Sequence, residues 1–445
     1  FGTMTTKSTK FPKTFWVAVI MEFFERGSYY GMMSVLSVFL VLSGADGGLG
    51  FTKEQAGSIL GTIPPLLYFL PIVAGAIADR YGYRKILYFA FSCMVVGYGL
   101  TGLFSGSGFD GMTSRYFVVF ASLLIMAVGA GFFKPVISGT IAKSTDESNS
   151  GLGFGIFYWS INLGAFLFPL ILIPILKSYS YSYIFFLSAG IGVVLLLINT
   201  FFYKEPRAGN GEHLEKREGK SIGQVFAEML LVIKDWKFLL MVVLYSVFWI
   251  LYFQMYGTVL WYVDEHMDMT PVNNAVNRFL ALFVENPSWF FDVEHVTVVN
   301  AGVIILLQLF VSKIVQKAPA LPTMIVGIGF GTLGMAILSL SDSPWLFLVG
   351  IMTFTLGEMT AHPKYNSYIG MIAPPDKKAL YMGYSFLYGV IGSSIGGFVG
   401  AALYVKYVEE MANPSAFYLI FACLGVFSMV ALILYNKFIA PKRVK

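Results

Sequence analysis

Apolar residues along the chain gather into twelve runs of about 20 or more. They lie near residues 14–42, 55–78, 84–105, 115–141, 152–176, 181–203, 237–263, 296–316, 320–341, 344–372, 380–406 and 415–438. Each is long enough to cross the roughly 30 Å hydrocarbon core of a bilayer as an α-helix. Polar residues collect between the runs, most of all at 204–237 and 264–294. Twelve crossings return the chain to the side it started from, and the long polar segment falls midway. The pattern therefore predicts an all-α polytopic membrane protein with twelve transmembrane helices: an N-terminal six-helix bundle over residues 1–203, a linker over 204–236 and a C-terminal six-helix bundle over 237–445.

Composition agrees, with 57% hydrophobic and only 12% charged residues. The net charge of +5 could suggest an acidic partner such as nucleic acid, but the cations are sorted by membrane side instead. Of the 30 Lys and Arg residues, twenty-two fall in the termini and the loops at 79–85, 142–151, 204–237, 313–319 and 373–379; only Lys53, Arg115, Lys177, Arg278 and Lys406 lie on the other side. The positive-inside rule makes the richer side cytoplasmic. Cys93 and Cys423 both sit in apolar runs, which argues against a disulfide framework or a thiolate metal site. The four histidines, at 213, 266, 295 and 362, are too dispersed in sequence to suggest a metal site. The first residues lack the basic region, short apolar stretch and small-residue cleavage site of a removable signal peptide.

Three cations remain, Arg26, Lys134 and Lys364, and they lie inside apolar runs, as do Glu22, Glu25 and Glu358. An ionisable group at mid-membrane costs roughly 2.5–3.5 kcal/mol on insertion scales, so these groups are expected to face a protein or water-lined interior. Glu22, Glu25, Arg26, Tyr29 and Tyr30 follow the i, i+3, i+4, i+7, i+8 spacing of one helical face. Two carboxylates one turn apart repel each other in a low dielectric unless a cation or a proton compensates.

The loop Gly75-Ala76-Ile77-Ala78-Asp79-Arg80-Tyr81-Gly82-Tyr83-Arg84-Lys85 resembles the signature loop of the major facilitator superfamily. Its glycines permit a tight turn, and Asp79 and Arg80 are candidates for a gating latch in which Asp79 pairs with a helix N-terminus or with a basic group across the domain interface. Four further motifs occur in order. Glu22-x-x-Glu25-Arg26-x-x-Tyr29-Tyr30 resembles the first-helix signature of the proton-coupled oligopeptide transporter (POT) family, and Gly129-Ala130-Gly131-Phe132-Phe133-Lys134-Pro135 its fourth-helix lysine motif. Phe157-Tyr158-x-x-Ile161-Asn162-x-Gly164 and Gly357-Glu358 with Pro363 are similar to its fifth- and tenth-helix motifs.

The resemblance implies the major facilitator fold and import of di- and tripeptides with protons by alternating access, through a site near the midplane between the bundles. It also implies a bacterial cytoplasmic membrane, no cofactor other than the coupling proton, and a monomer sufficient for function. A zwitterionic peptide needs a cation for its carboxylate and an anion for its amine. Arg26 and Lys134 are expected to supply the first and Glu358 the second, with Tyr29, Tyr30, Tyr68 and Asn162 contacting the peptide. A proton arriving at Glu22 or Glu25 would weaken pairing with Arg26 or Lys134 and free that cation for the substrate.

Several residues carry two readings. His362, one turn beyond Glu358, suits a proton relay or a hydrogen-bonded packing role beside Pro363. Trp249 and Gln254 line a cavity or simply pack, and Lys364 snorkels toward the cytoplasmic end of its helix. Residues 264–294 form a lid or a passive loop, with a short interfacial helix expected at 277–284. The match also fails in places. Phe253 stands where the family pattern has a glutamate linked to coupling, Gly27 replaces the usual aromatic after the arginine, which would widen the cavity or loosen packing, and the polar linker lacks two extra helices of many bacterial members. The rival readings are a same-fold carrier of nitrate, an amine-bearing metabolite or a drug with altered coupling, and, in other classes, a receptor or a membrane enzyme. Against the enzyme, neither a nucleophile elbow nor a phosphate loop is present in the sequence.

Overall fold

The computed structural model describes residues 10–145, 149–206, 221–374 and 378–441. Eighteen α-helices follow in order: α1 (Lys13–Val41), α2 (Lys53–Leu60), α3 (Ile63–Tyr81), α4 (Tyr83–Phe104), α5 (Arg115–Lys143), α6 (Ser150–Leu167), α7 (Ile173–Tyr179), α8 (Ser182–Phe201), α9 (Ile222–Ile233), α10 (Trp236–Phe253), α11 (Thr258–His266), α12 (Thr270–Leu280), α13 (Glu294–Val315), α14 (Ala320–Leu340), α15 (Pro344–Ile372), α16 (Lys378–Ser385), α17 (Leu387–Tyr404) and α18 (Pro414–Phe438). Several of these are halves of one crossing, and among the described residues eleven helical stretches are long and apolar enough to span a membrane. The twelfth is α1, whose 29 residues include Glu22, Glu25 and Arg26. The crossings agree with the apolar runs to within a few residues and form two six-helix bundles.

The interruptions have identifiable causes. Gly61 and Thr62, just before Pro64-Pro65, divide α2 from α3. Pro169 lies within, and Pro174 just beyond, a π-helical turn at Phe168–Leu172 between α6 and α7. The crossing 236–266 breaks at Gln254–Tyr256, a 3₁₀ turn, followed by Gly257. Inside α5 and α15, Pro135 and Pro363 directly follow Lys134 and His362. A proline removes one backbone hydrogen bond, so both helices are opened where these side chains emerge.

Two expectations about the connections need correction. The linker is not polar throughout: Ile222–Ile233 is a helix started by a capping box between Ser221 and Gln224. The external loop has its helix earlier than expected, at Thr270–Leu280, with Asn277 bonded both ways to the backbone of Trp289 at 2.7 and 2.9 Å.

The bundles meet most closely at the end away from the termini, called here the distal end. Helices α2 and α17 touch through small residues: a Cβ placed on Gly397 would lie 2.3 Å from the backbone nitrogen of Gly61. The indole of Trp261 donates to the carbonyl of Ser37 at 2.8 Å. Lys53 pairs with Glu265 at 2.6 Å and with Glu409, while Lys177 pairs with Glu294 at 2.7 Å and with Asp292. Every ion pair between described residues that joins the two bundles is at this end. At the terminal end α3 runs beside α17, and α9 touches both α3 and α16.

The segment 75–85, expected as a loop, is the end of α3 and the start of α4 with Gly82 alone between them, and it is anchored within its own bundle. Gly82 has φ +99°, a left-handed conformation that favours glycine. Arg84 donates from Nε to the carbonyl of Asn199 at 3.2 Å and also bonds the carbonyl of Thr200, and its backbone N–H donates to Glu205 at 3.0 Å. Asp79 accepts from the Tyr83 hydroxyl at 3.3 Å rather than pairing across the domain interface, and Arg80 lies over the ring of Tyr81. Lys364 reaches toward the cytoplasmic end of its helix. Its Nζ donates to the carbonyl of Ala318 at 2.8 Å, tying off the α13–α14 turn on that side.

Candidate functional site

Midway along the bundles, α1, α3, α5 and α10 enclose a narrow cavity. Arg26, Tyr29, Tyr30, Tyr68 and Lys134, all expected from sequence, line it together with Met33, Leu67, Tyr252, Phe253 and Tyr256. The helical spacing of α1 is what presents Arg26, Tyr29, Tyr30 and Met33 to one space. Toward the distal end a second small hollow continues past Phe253, Met33 and Tyr256, lined by Leu60, Pro64 and Trp261.

The charges on α1 are arranged as a closed pair and a loose end. Arg26 donates from Nε and one terminal nitrogen to the two oxygens of Glu25 at 2.5 and 2.6 Å, with Glu25 fully buried and Arg26 2% exposed. Two parallel charge-assisted hydrogen bonds are the strongest form of such a contact. The guanidinium also lies 4.6 Å from the centre of the Tyr29 ring and 5.6 Å from that of Tyr30. Glu22 is buried as well, and its Oε2 has no hydrogen-bond partner. Lys134 forms no ion pair with a described carboxylate. Its ammonium sits 4.7 Å above the face of Tyr68, a cation–π contact weaker than a buried ion pair.

Glu358 comes from the second bundle and is held by an amide instead of a cation. Asn300 on α13 donates from Nδ2 to Glu358 Oε2 at 3.1 Å and to the Thr355 hydroxyl oxygen at 2.9 Å. Glu358 lies within electrostatic reach of Tyr30, Tyr158 and Tyr256, which places it beside the cavity although outside its immediate lining. Asn162 donates to the carbonyl of Tyr158 in its own helix at 3.1 Å.

The residues with two readings divide here. Both nitrogens of His362 face tyrosine hydroxyls, Tyr245 at 3.0 Å and Tyr388 at 3.4 Å, and its ring packs on Trp249 and Tyr388. That is the geometry of a hydrogen-bonded packing residue. Trp249 is 4% exposed within the same aromatic group. Gln254 is turned away from the cavity: its Nε2 donates to the carbonyls of Ile250 and Gly396 at 2.9 and 3.1 Å, and its Oε1 accepts from Thr258 at 2.7 Å. It spans the break in helix α10–α11 and joins it to α17. Asp79 and Arg80 lie in the last turn of α3, away from the cavity lining.

Gly27 does not loosen the site. The ring of Phe168, presented by the π-helical turn, lies where a side chain at 27 would go, 2.5 Å from an added Cβ. Sequence reasoning missed Asn300, Tyr252 and Tyr256. Asn300 had a readable signal, being an amide inside an apolar run. The tyrosines had none, in a chain with 26 of them.

A family model described as Major Facilitator Superfamily matches residues 16–397 and 288–444. Dipeptide and tripeptide permease B of Aeromonas hydrophila is 24% identical over 466 residues, covering 91% of this chain and 87% of the relative. The peptide transporter YePEPT of Yersinia enterocolitica is 30% identical over 183 residues, covering 40% of this chain and 34% of the relative. The match therefore spans only about a third of that relative's length. A solved structure of a peptide transporter POT with sulfate superposes with a TM-score of 0.75 at 21% identity, covering 97% of this chain and 95% of the other. A POT family transporter in complex with 5-aminolevulinic acid gives 0.73 at 21% identity, covering 98% and 97%. At these identities the superpositions speak for the fold.

Proposed function

The chain belongs to the Major Facilitator Superfamily and is an integral membrane protein, and on that premise we propose that it is a proton-coupled symporter importing di- and tripeptides by alternating access. The observation that carries the reading is the division of charge around one cavity: Arg26 and Lys134 from the first bundle, Glu358 from the second. A zwitterion bridging them gains contacts only when the bundles close around it, which is what a substrate must do to favour closure. The peptide-transporter names of the relatives agree with that ligand.

In this reading Lys134, free of a carboxylate partner, receives the peptide carboxylate. Arg26 is held in reserve by Glu25, and Glu22 carries the proton because its oxygen is the one left without a partner. Glu358, steadied by Asn300, receives the amine. The Lys53 and Lys177 ion pairs hold the bundles together at the distal end, the side opposite the cytoplasm by the distribution of cations. The bundles divide at 203 and 237, and the last turn of α3, carrying Asp79 and Arg80, stiffens the cytoplasmic end of the first bundle.

A second reading rests on Phe253. Its ring packs edge-on to Tyr68 at 5.9 Å, so the wall where the family pattern has a carboxylate is apolar here. That wall suits a same-fold carrier of another amine-bearing solute with altered coupling. Uptake of labelled dialanine into liposomes containing the purified protein separates the two. Uptake that rises with an inward proton gradient and yields to tripeptide, but not to nitrate or free amino acid, is the expected result. Gradient-independent or peptide-insensitive uptake would assign the protein to the second reading.

A further inference from the structure

Helix α9, the described part of the linker, carries two apolar stripes. Val225, Met229 and Val232 form the first. Val225 and Val232 are buried, and the carbonyl of Met229 accepts a hydrogen bond from the Tyr384 hydroxyl on α16. The second stripe, Ile222, Phe226, Leu230 and Ile233, lies beside it at i, i+4, i+8 and i+11 and is left uncovered, at 46, 46, 64 and 54% exposure. Trp236, 57% exposed, extends it onto the first turn of α10. Lys234 and Lys237 are exposed at the same end.

We propose that α9 is a membrane-surface strap, its uncovered stripe seated between lipid headgroups and acyl chains with Lys234 and Lys237 at the level of anionic phosphates. Only Lys234 and Asp235 separate α9 from α10. The strap therefore stays at the depth where a membrane-crossing helix begins. Its second stripe is continuous with the lipid-facing surface through Trp236, and four large apolar side chains gain more from the acyl boundary than from water. The terminal side also carries the excess of Lys and Arg, which complements an anionic leaflet. The buried stripe meanwhile touches α3 of the first bundle and α16 of the second. Lipid thus holds a strap that crosses the seam between the moving parts.

The test uses the full chain in vesicles of phosphatidylcholine with or without phosphatidylglycerol. A nitroxide is placed at Leu230→Cys or, on the opposite face, at Gln224→Cys, in a background carrying Cys93→Ala and Cys423→Ala. The label at 230 is expected to collide with oxygen in preference to an aqueous nickel chelate, at a depth of about 5–10 Å below the phosphates. The label at 224 is expected to show the reverse. Adding Lys234→Gln and Lys237→Gln is expected to make 230 shallower in phosphatidylglycerol vesicles and to leave it unchanged in phosphatidylcholine alone. Equal nickel access at 230 and 224 would overturn the proposal. Shielding of 230 from both reagents would overturn it too, because a protein surface would then cover the stripe, and a depth indifferent to the lysines would remove the anionic headgroup. None of these readouts depends on what is transported.

Discussion

The two bundles bring opposite kinds of charge to the cavity and hold them differently. In the first, Arg26 is clasped by its sequence neighbour Glu25 through two short bonds while Lys134 rests on an aromatic face. In the second, Glu358 has a neutral amide for company and no cation within ion-pair distance among the described residues. A clasped cation contributes to rigidity and must be released before it can bind anything. A group held by an amide or a ring is available at once. On the proposed reading, the contrast separates residues that keep the site in shape from residues that meet the ligand.

The comparison is most exposed to failure at Arg26. Arg26→Ala leaves Glu25 buried without its partner, and breaking a buried pair in this way costs about 3–5 kcal/mol. A large fall in the thermal midpoint in detergent is expected, with loss of uptake; a midpoint near that of the parent protein would mean the pair is not structural. Lys134→Ala should do the opposite, abolishing gradient-driven uptake with little change in the midpoint. Retained uptake would sink the charge-switch reading. Glu358→Gln is expected to impair peptides with a free amine more than N-blocked analogues, measured by competition, and equal losses would take the amine away from Glu358. The smallest effect belongs to Asn300→Ala. It removes one hydrogen bond to a charged group, about 1.5–3 kcal/mol, and should weaken free-amine peptides by roughly tenfold to a hundredfold while leaving the N-blocked ones nearly unchanged.

Much of this was legible in the sequence, and the reason differs by feature. Crossing helices were readable because twenty apolar residues in a row admit few other fates in a protein. The face carrying Arg26, Tyr29 and Tyr30 was readable because helical spacing is fixed. Partner choice was not. Spacing arguments look to i+3 and i+4, yet Arg26 folds back on the residue beside it, a matter of long flexible side chains in a confined space. Gln254 was ambiguous for a related reason: an amide in an apolar run signals a polar need, and the need here was the broken helix at Gln254–Tyr256, which no local pattern announces. Helix α9 was hidden by the polar residues around it, although its Ser-x-x-Gln start was visible.

The glycine at 27 and the phenylalanine at 168 can be restated in the language of genetics. Each makes sense only with the other, one an absence and the other the ring that fills it. Gly27→Phe alone would collide with that ring, and Phe168→Gly alone would leave a hole in the wall between α1 and α6. A selection for restored growth starting from Gly27→Phe would therefore be expected to return small residues at 168, the two positions behaving as one heritable unit split between distant parts of the chain.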